Sequence, residues 1–529
     1  MPTDCISFQS SGYFSKLMQD YLDQKPELKP LYNNFPSLEN FEKQIAEKSA
    51  NFDHNNRTAL VATLQKQYQN IEASDLTKQN ISLLALENTF TITTGHQLNL
   101  FSGPLYFLYK IISTINLTKE LKSKYPSHNF VPVYWMATED HDFEEINYFN
   151  FKGKKIRWNA ESTGPVGRLS TEGLEELFEV YSLELGSSTN ANALKKLFKD
   201  AYLKHENLAD ATRYLANALF ASYGLVIIDA DDADLKRAFV PYVKEELENQ
   251  TSFKEVQKSI EELSAYTVQV NPREINLFYI EDKLRERIIF ENDKYVVNNT
   301  KISFSKDEIF KLLESNPEKF SPNVIMRPLY QEIILPNLCY IGGGGEIAYW
   351  LELKAFFEAV NITFPILLVR NSVLLATEKQ VKKADNLNLT WKDLFSKSES
   401  LVNEITHKLS PFPIDLTPQK EALEKQFAYL FELAEKTDKS FSGAVKAQEV
   451  KQKKGLENLE KRLLKAQKRK LADQLERVTD LQCELFPNNS LQERQANFSE
   501  FYLEKGEQLI PLLIQKLKPL EHNFDIIII

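Results

Sequence analysis

Apolar positions along residues 13–86 recur at helical spacing between polar and charged ones, with little Gly, and Pro26, Pro30 and Pro36 interrupt the run. This predicts a helical lead-in with a turn-rich connection. Beyond it the pattern changes to strands alternating with helices. Residues 90–94 (FTITT) alternate and are β-branched, 104–125 return to helical spacing, and 130–137 (FVPVYWMA) form the continuous apolar run of a buried strand. A second strand–helix unit is expected around 225–232 (LVIIDADD), and a third at 339–360 followed by 364–370 (FPILLVR). Strands separated by helices predict an α/β fold with a doubly wound parallel sheet. Residues 277–299 alternate between turns and read as a small β-containing insertion belonging to the core.

From about 417 Gly and Pro nearly vanish and charge dominates until Phe486-Pro487. Leu423, Phe427, Leu430, Ala434, Thr437, Phe441 and Ala444 step by four and three, and Leu464, Lys468, Leu471, Leu475, Val478, Gln482 and Leu485 repeat the pattern. That is a coiled-coil seam. The two stretches meet near Gly455, where either a helical hairpin turns or one long helix carries a weak point. A final helix at about 491–517 and the tail FDIIII follow, the four isoleucines predicting a strand paired into a sheet. Three segments result: a core at 1–416 that includes the helical lead-in and the insertions, a coiled coil at 417–486, and a return to the core at 487–529.

Composition narrows the classes. A chain of 529 residues with 43% hydrophobic and 26% charged positions is an ordinary folded protein of several domains. A net charge of −10 offers no general cationic field, so nucleic acid is not expected as a partner. The exception is 446–477, where eleven Lys or Arg face five acids; a solvated coiled-coil flank explains that excess better than RNA binding, since no aromatics are interleaved. Cys5, Cys339 and Cys483 are too few and too scattered for a disulfide framework or a metal-binding spacing. Neither a leader-like start nor a membrane-length apolar run is present, so the expectation is a cytoplasmic protein without membrane contact.

Three stretches carry candidate chemistry. In TTGHQLNLFSGPLYFLYK (93–110) a strand ends at Gly95-His96 and a helix is expected to start at Ser102-Gly103-Pro104, capped by Ser or Gly. Such a junction at the carboxyl edge of a parallel sheet binds anions, with His96, Gln97 and Ser102 as donors; the plainer reading is a capped turn with a solvent-facing His. Next, TEDHDFEEIN (138–147) leaves the buried strand with Glu139, Asp140, His141 and Asp142 in succession. Crowded carboxylates favour a cation between them or a raised pKa suited to proton transfer, against the plainer reading of an acidic helix cap at Asp140 or Asp142. Whether a divalent metal sits there is left open, because carboxylate and imidazole suit Mg, Mn or Zn almost equally. Third, Gly342, Gly343, Gly344 and Gly345 join a strand to a helix and exceed what a turn requires, which favours a ligand loop. Just upstream, Arg327, Tyr330 and Gln331 either bind a carboxylate or phosphate or simply cap and pack a helix.

These stretches, with GPVGRL at 164–169, RPLYQEIILPNLCYIGGGGEIAYW at 327–350, FPILLVRNSVLL at 364–375 and QERQANFSEFYLEKG at 492–506, together resemble the bacillithiol biosynthesis cysteine-adding enzyme family, the cysteine ligases. The resemblance runs nearly end to end. It implies a Rossmann-like core related to class I aminoacyl-tRNA synthetases and nucleotidyltransferases, with connecting-peptide insertions and a coiled coil that pairs two subunits as a homodimer. It also implies the reaction: L-cysteine joined to glucosaminyl malate as an amide, with ATP activating the cysteine carboxylate as an adenylate or acyl phosphate. Gly95 to Gly103 then face the nucleotide, in the place of the synthetase's first signature. The His-x-Gly-His spelling of that signature is absent, and His96 stands where many members carry Gln, so backbone N–H groups, Gln97 and Ser102 are the better donors. The Gly342–Gly345 loop would stabilise phosphate charge, Asp140 or Asp142 take the amine proton, and Arg327 or Arg370 hold the malate carboxylates. The competing reading is a non-catalytic coiled-coil dimer whose nucleotide-like fold binds a regulatory ligand or RNA.

Overall fold

The computed structural model describes residues 4–529; Met1, Pro2 and Thr3, which open the segment read above for a leader, lie outside it. The chain divides into two units, Met1–Leu375 with Leu491–Ile529, and Ala376–Ser490.

The first unit is built on five strands, β1 (Thr89–His96), β2 (Asn129–Met136), β3 (Val226–Asp229), β4 (Asn337–Gly342) and β5 (Ile366–Val369), ordered β5-β4-β1-β2-β3. Every neighbouring pair is parallel. The chain lays down β1, β2 and β3 in one direction and then crosses to the other side of β1 for β4 and β5. Order therefore reverses between β1 and β4, and the carboxyl ends of those two strands open a crevice, the usual ligand position in a doubly wound sheet. Both faces of the sheet are covered, so the strands are buried almost throughout; β2 to β5 are mainly apolar, while β1 carries buried threonines. Phe90, Ile92, Leu338, Ile341, Ile366 and Leu368 pack with Phe41 and Ile45 of the lead-in helix Asn40–Asn51 and with Leu117 and Leu121 of the crossover helix α1 (Tyr106–Lys124).

The expected insertion is an antiparallel sheet of five strands that includes Leu277–Glu281 and Leu284–Glu291. At the carboxyl terminus Asn523–Ile528 pairs antiparallel with Asp4–Ser7, as four terminal isoleucines suggest. The single helix expected over 491–517 is instead three pieces, Gln492–Gln495, Phe498–Lys505 and Leu509–Lys516. The side chain of Asn497 caps the second piece, and Gly506, at φ +57, ends it.

In the second unit, α4 (Thr417–Ala434) and α5 (Lys439–Lys470) form an antiparallel hairpin, followed by α6 (Ala472–Leu485). The turn falls at 435–438, where Asp438 caps α5, and not at Gly455; Gly455 lies inside the 32-residue helix α5. Of the expected seam, Leu423, Phe427, Leu430 and Ala434 are on α4 and close on Val445 of α5. Ion pairs Lys420–Glu460 at 2.7 Å and Lys453–Glu424 at 3.0 Å fix the hairpin register. The unit begins at Ala376 rather than 417 because Ser398–Leu409 packs on α5 and α6, Gln482 Nε2 donating to the carbonyls of Leu394 and Ser396 at 3.0 and 2.8 Å. Among the described residues no helix is long and apolar enough to cross a membrane.

Candidate active site

A cavity of about 630 Å³ occupies the crevice at the carboxyl ends of β1, β2 and β4. Its lining brings together Gly95, His96 and Gln97 from β1, Glu139 to Asp142 after β2, and Arg327 from α2 (Met326–Ile334). Lys110 of α1, Tyr340 of β4, Glu346 of α3 (Gly344–Leu351) and Arg285 of the insertion complete it. The two ends of this cavity differ in charge.

The cationic end lies at the switch point between β1 and β4. Lys110 stands one helical turn after Tyr106, so both side chains face the cavity, and its ammonium donates to the Gly95 carbonyl at 2.7 Å and pairs with Glu346 at 2.5 Å. Glu346 also accepts from the Tyr340 hydroxyl at 2.7 Å and the Gly343 N–H at 3.1 Å. Burial pushes the Glu346 carboxyl up, but Lys110 and these donors outweigh it and hold the group below the usual carboxylate range. Arg327 donates to Gln331 Oε1 at 3.0 Å and to the Tyr349 hydroxyl at 3.3 Å, with its guanidinium near the rings of Trp135 and Tyr340. Gly95 lies close under these groups: a Cβ there would stand 3.1 Å from the Tyr340 hydroxyl oxygen, so a larger residue would have to displace that side chain by a few tenths of an ångström.

At the acidic end, Glu139 is buried and accepts from Lys236 at 2.6 Å. Burial raises its pKa and Lys236 opposes the rise. Lys236 also binds Asp231 at 3.2 Å, and Asp231 receives a two-pronged contact from Arg168 at 2.8 and 3.0 Å. Arg168 belongs to GPVGRL, whose Val166 and Gly167 N–H groups donate to the carbonyls of Asp140 and Thr138 at 2.7 and 2.8 Å. Gly167 is needed for this approach, because a Cβ would lie 2.6 Å from Thr138. GPVGRL thus clamps the acidic loop. Asp140 accepts from the His141 N–H at 2.7 Å through one oxygen and from Gln97 Nε2 at 3.0 Å through the other. His141 shares a contact of 2.7 Å with Arg285, whose guanidinium covers Phe278 and whose pKa burial lowers. Asp142 occupies the cap position of the short helix Phe143–Ile146 without a capping hydrogen bond.

Several expected residues are placed differently from the sequence reading. His96 is buried rather than solvent-facing; its Nε2 has no partner among the described residues, and burial, then Lys110, holds its pKa well below the usual histidine value. Ser102 and Gly103 line neither this cavity nor a smaller neighbour, and Ser102 caps no helix: α1 starts at Tyr106, after a left-handed turn with φ of 48, 67 and 61° at Phe101, Ser102 and Gly103. Tertiary contacts impose that turn. The Phe101 ring packs on Phe149, Tyr181, Phe198 and Phe498, its N–H donates to the Tyr202 hydroxyl, and Asn497 donates to the carbonyls of Phe101 and Gly103. Gly343, Gly344, Gly345 and Arg370 line the neighbour, a cavity of about 180 Å³, where Arg370 pairs with buried Glu493 at 2.7 Å. Gly342 ends β4 and lines neither cavity. Tyr330 is buried with its hydroxyl on the Ala230 carbonyl, and Gln331 lies behind Arg327. Among the described residues, no three His, Cys, Asp or Glu converge to hold a metal ion.

Sequence reading missed Lys110, Lys236, Arg285 and Glu346. Lys110 left one signal, a lone charge on the first two turns of a helix that is otherwise apolar there.

Comparison with known proteins puts a boundary close to the start of the second unit, but counts residues 491–529, which pack in the first unit, with the carboxyl-terminal domain. The family described as Bacillithiol biosynthesis BshC, N-terminal Rossmann-like domain, matches residues 1–371, and the corresponding C-terminal coiled-coil domain matches 373–529. A protein of Flavobacterium johnsoniae named "Putative cysteine ligase BshC" is 84% identical over 529 residues, covering both chains completely. Proteins with the same name from Cytophaga hutchinsonii and Bacillus cereus are 40% identical, covering 98% of each chain, and 28% identical, covering 94% of this chain and 95% of the relative.

Proposed function

Because the chain belongs to the bacillithiol biosynthesis BshC family, we propose that it is a carbon–nitrogen bond-forming ligase that joins L-cysteine to glucosaminyl malate with consumption of ATP. The observation that carries the reading is the split character of one crevice. A cationic end at the switch point, with Lys110 and Arg327, suits phosphate or carboxylate, and an acidic end suits an amine that must lose a proton.

ATP supplies an adenylyl or phosphoryl group that turns the cysteine carboxylate into a reactive acyl donor, releasing pyrophosphate or ADP. Lys110 and Arg327 stabilise the charge that develops on phosphate. The glucosamine nitrogen then attacks the acyl carbon, the bond to phosphate breaks, and the amine proton passes to a carboxylate. Asp140 is better placed than Asp142 to act as the base: Gln97 and the His141 N–H fix both of its oxygens, whereas Asp142 is exposed. Glu139 is occupied by Lys236 and shapes the loop. Arg327 takes an anionic group of either substrate; Arg370 lines the neighbouring cavity, paired with buried Glu493, and is withdrawn from that role. ATP, free cysteine and three unpaired cysteines all fit a reducing cytoplasm.

Mass spectrometry of thiols in cells lacking this gene, with and without complementation, tests the reading. Loss of bacillithiol with accumulation of glucosaminyl malate is expected. Unchanged thiol pools in a strain with no second copy would reject it. Purified protein with cysteine, glucosaminyl malate and ATP then distinguishes adenylate from acyl phosphate by whether AMP or ADP is formed.

A further inference from the structure

Behind the crevice lies a charged network that the chemistry above does not use. Lys48, on the lead-in helix Asn40–Asn51, donates to Glu332 Oε2 at 2.9 Å, and both side chains are essentially inaccessible. The other oxygen of Glu332 accepts from Asn337 Nδ2 at 2.6 Å and from Gln331 Nε2 at 3.0 Å. Asn337 in turn accepts from Thr93 at 2.8 Å and Thr91 at 3.2 Å, polar residues of the central strand that are fully buried. A buried ion pair is a poor route to stability, since hydrophobic residues of equal volume serve as well or better, so its presence points to a geometric task.

The task is visible one residue away. Gln331 sits between a carboxylate and a guanidinium, and only one orientation of its amide satisfies both: Nε2 toward Glu332 and Oε1 toward Arg327. With the amide fixed, Oε1 holds one arm of Arg327 at 3.0 Å while the Tyr349 hydroxyl takes the other at 3.3 Å. We propose that Glu332 and Gln331 are positioning residues that orient Arg327 toward an anionic group of the substrate, with Lys48 supplying the counter-charge that lets Glu332 do so inside the protein. The proposal rests on the ligase reading for the identity of the anion and on geometry alone for the orientation.

Two readouts on the full-length protein separate those parts. In crystals of Q331A the Arg327 guanidinium is expected to leave its place beside Tyr349, while in K48M/E332Q, which keeps an acceptor for Gln331 without burying a charge, it stays. Calorimetric titration with glucosaminyl malate should show affinity about tenfold weaker for Q331A, as for loss of one charge-assisted contact, and near wild type for K48M/E332Q. R327A is the control. An unmoved Arg327 in Q331A overturns the proposal, as does unchanged binding in Q331A when R327A weakens it. Binding unaffected by R327A overturns the assignment of the anion to Arg327, and the position of Arg327 in Q331A then decides the orientation by itself.

Discussion

Lys110, from the helix that follows β1, and Glu346, from the helix that follows β4, meet at 2.5 Å across the point where the sheet reverses its order. Each half of the sheet thereby places a charge on the other half's side of the crevice. K110M is expected to lower kcat/KM by about 10²–10³-fold, as for removal of a preorganised group facing developing negative charge. It also strands the Glu346 carboxylate, at a cost of up to about 3 kcal/mol, below the figure for a fully buried pair because Glu346 keeps some solvent contact. K110M/E346Q separates the effects: urea denaturation should show most of the stability regained, and initial rates should show turnover still lost. Recovery of turnover in the double variant would make Lys110 purely structural.

Asp140 carries a different expectation. D140N preserves the shape of the loop but removes the proton acceptor, so kcat should fall about 10²–10⁴-fold with little change in the KM for cysteine. D142N, at an exposed cap position, should leave steady-state kinetics close to wild type. Equal losses in the two variants would point to the charge of the loop rather than to one base.

The sheet was legible because FTITT alternates and is β-branched, FVPVYWMA is the continuous apolar run of a strand covered on both faces, and a crossover helix must return at 3.6-residue spacing. Residues emerging at the carboxyl ends of β1 and β2 were legible for the same reason, since topology alone places Gly95, Gln97 and Glu139 to Asp142 together. What joins them was not. Lys236 reaches Glu139 from 97 residues away, and Arg285 reaches His141 from 144 residues away, and no local pattern encodes such pairings. The start of α1 was misjudged because Ser-Gly-Pro is good capping chemistry, yet the burial of Phe101 among four aromatic rings dictates a left-handed turn instead. Likewise the hairpin turns at 435–438, where neither Gly nor Pro marks the bend.

A pH dependence of stability follows from Glu352. Its carboxylate accepts from the N–H groups of Gln269 and Val270, at 2.7 and 3.3 Å, and so ties down the segment that carries Asn271 and Arg273 into the crevice. Burial, only partly offset by those two donors, raises its pKa from 4.5 to about 7. Between those values the folded protein binds more protons than the unfolded chain, so stability falls as pH rises and levels off above the folded-state value. The contribution is about 2–3 kcal/mol across that window. Urea midpoints of the wild type should decline from about pH 5 to about pH 8, and E352Q, which has no proton to lose, should flatten that part of the decline. An unchanged slope in E352Q would assign the dependence to other groups.

The second unit predicts a homodimer. The hairpin of α4 and α5 covers Phe427, Ala434 and Val445 from within one chain, yet Tyr429, Leu433, Phe441, Val450 and Leu459 of the same two helices remain exposed, Tyr429 at 62%. Apolar side chains repeated along a hairpin are better explained by a second copy than by solvent, whereas the Lys and Arg residues around them behave as a hydrated flank. Light scattering after gel filtration should give twice the chain mass of 61.1 kDa, and V450E/L459E should give the monomer. The salt response identifies the force. An apolar seam persists or tightens at about 1 M NaCl, where charge pairs are screened within about 3 Å. Dissociation at high salt with the wild-type chain would therefore assign the interface to the basic flank and remove the apolar seam as its cause.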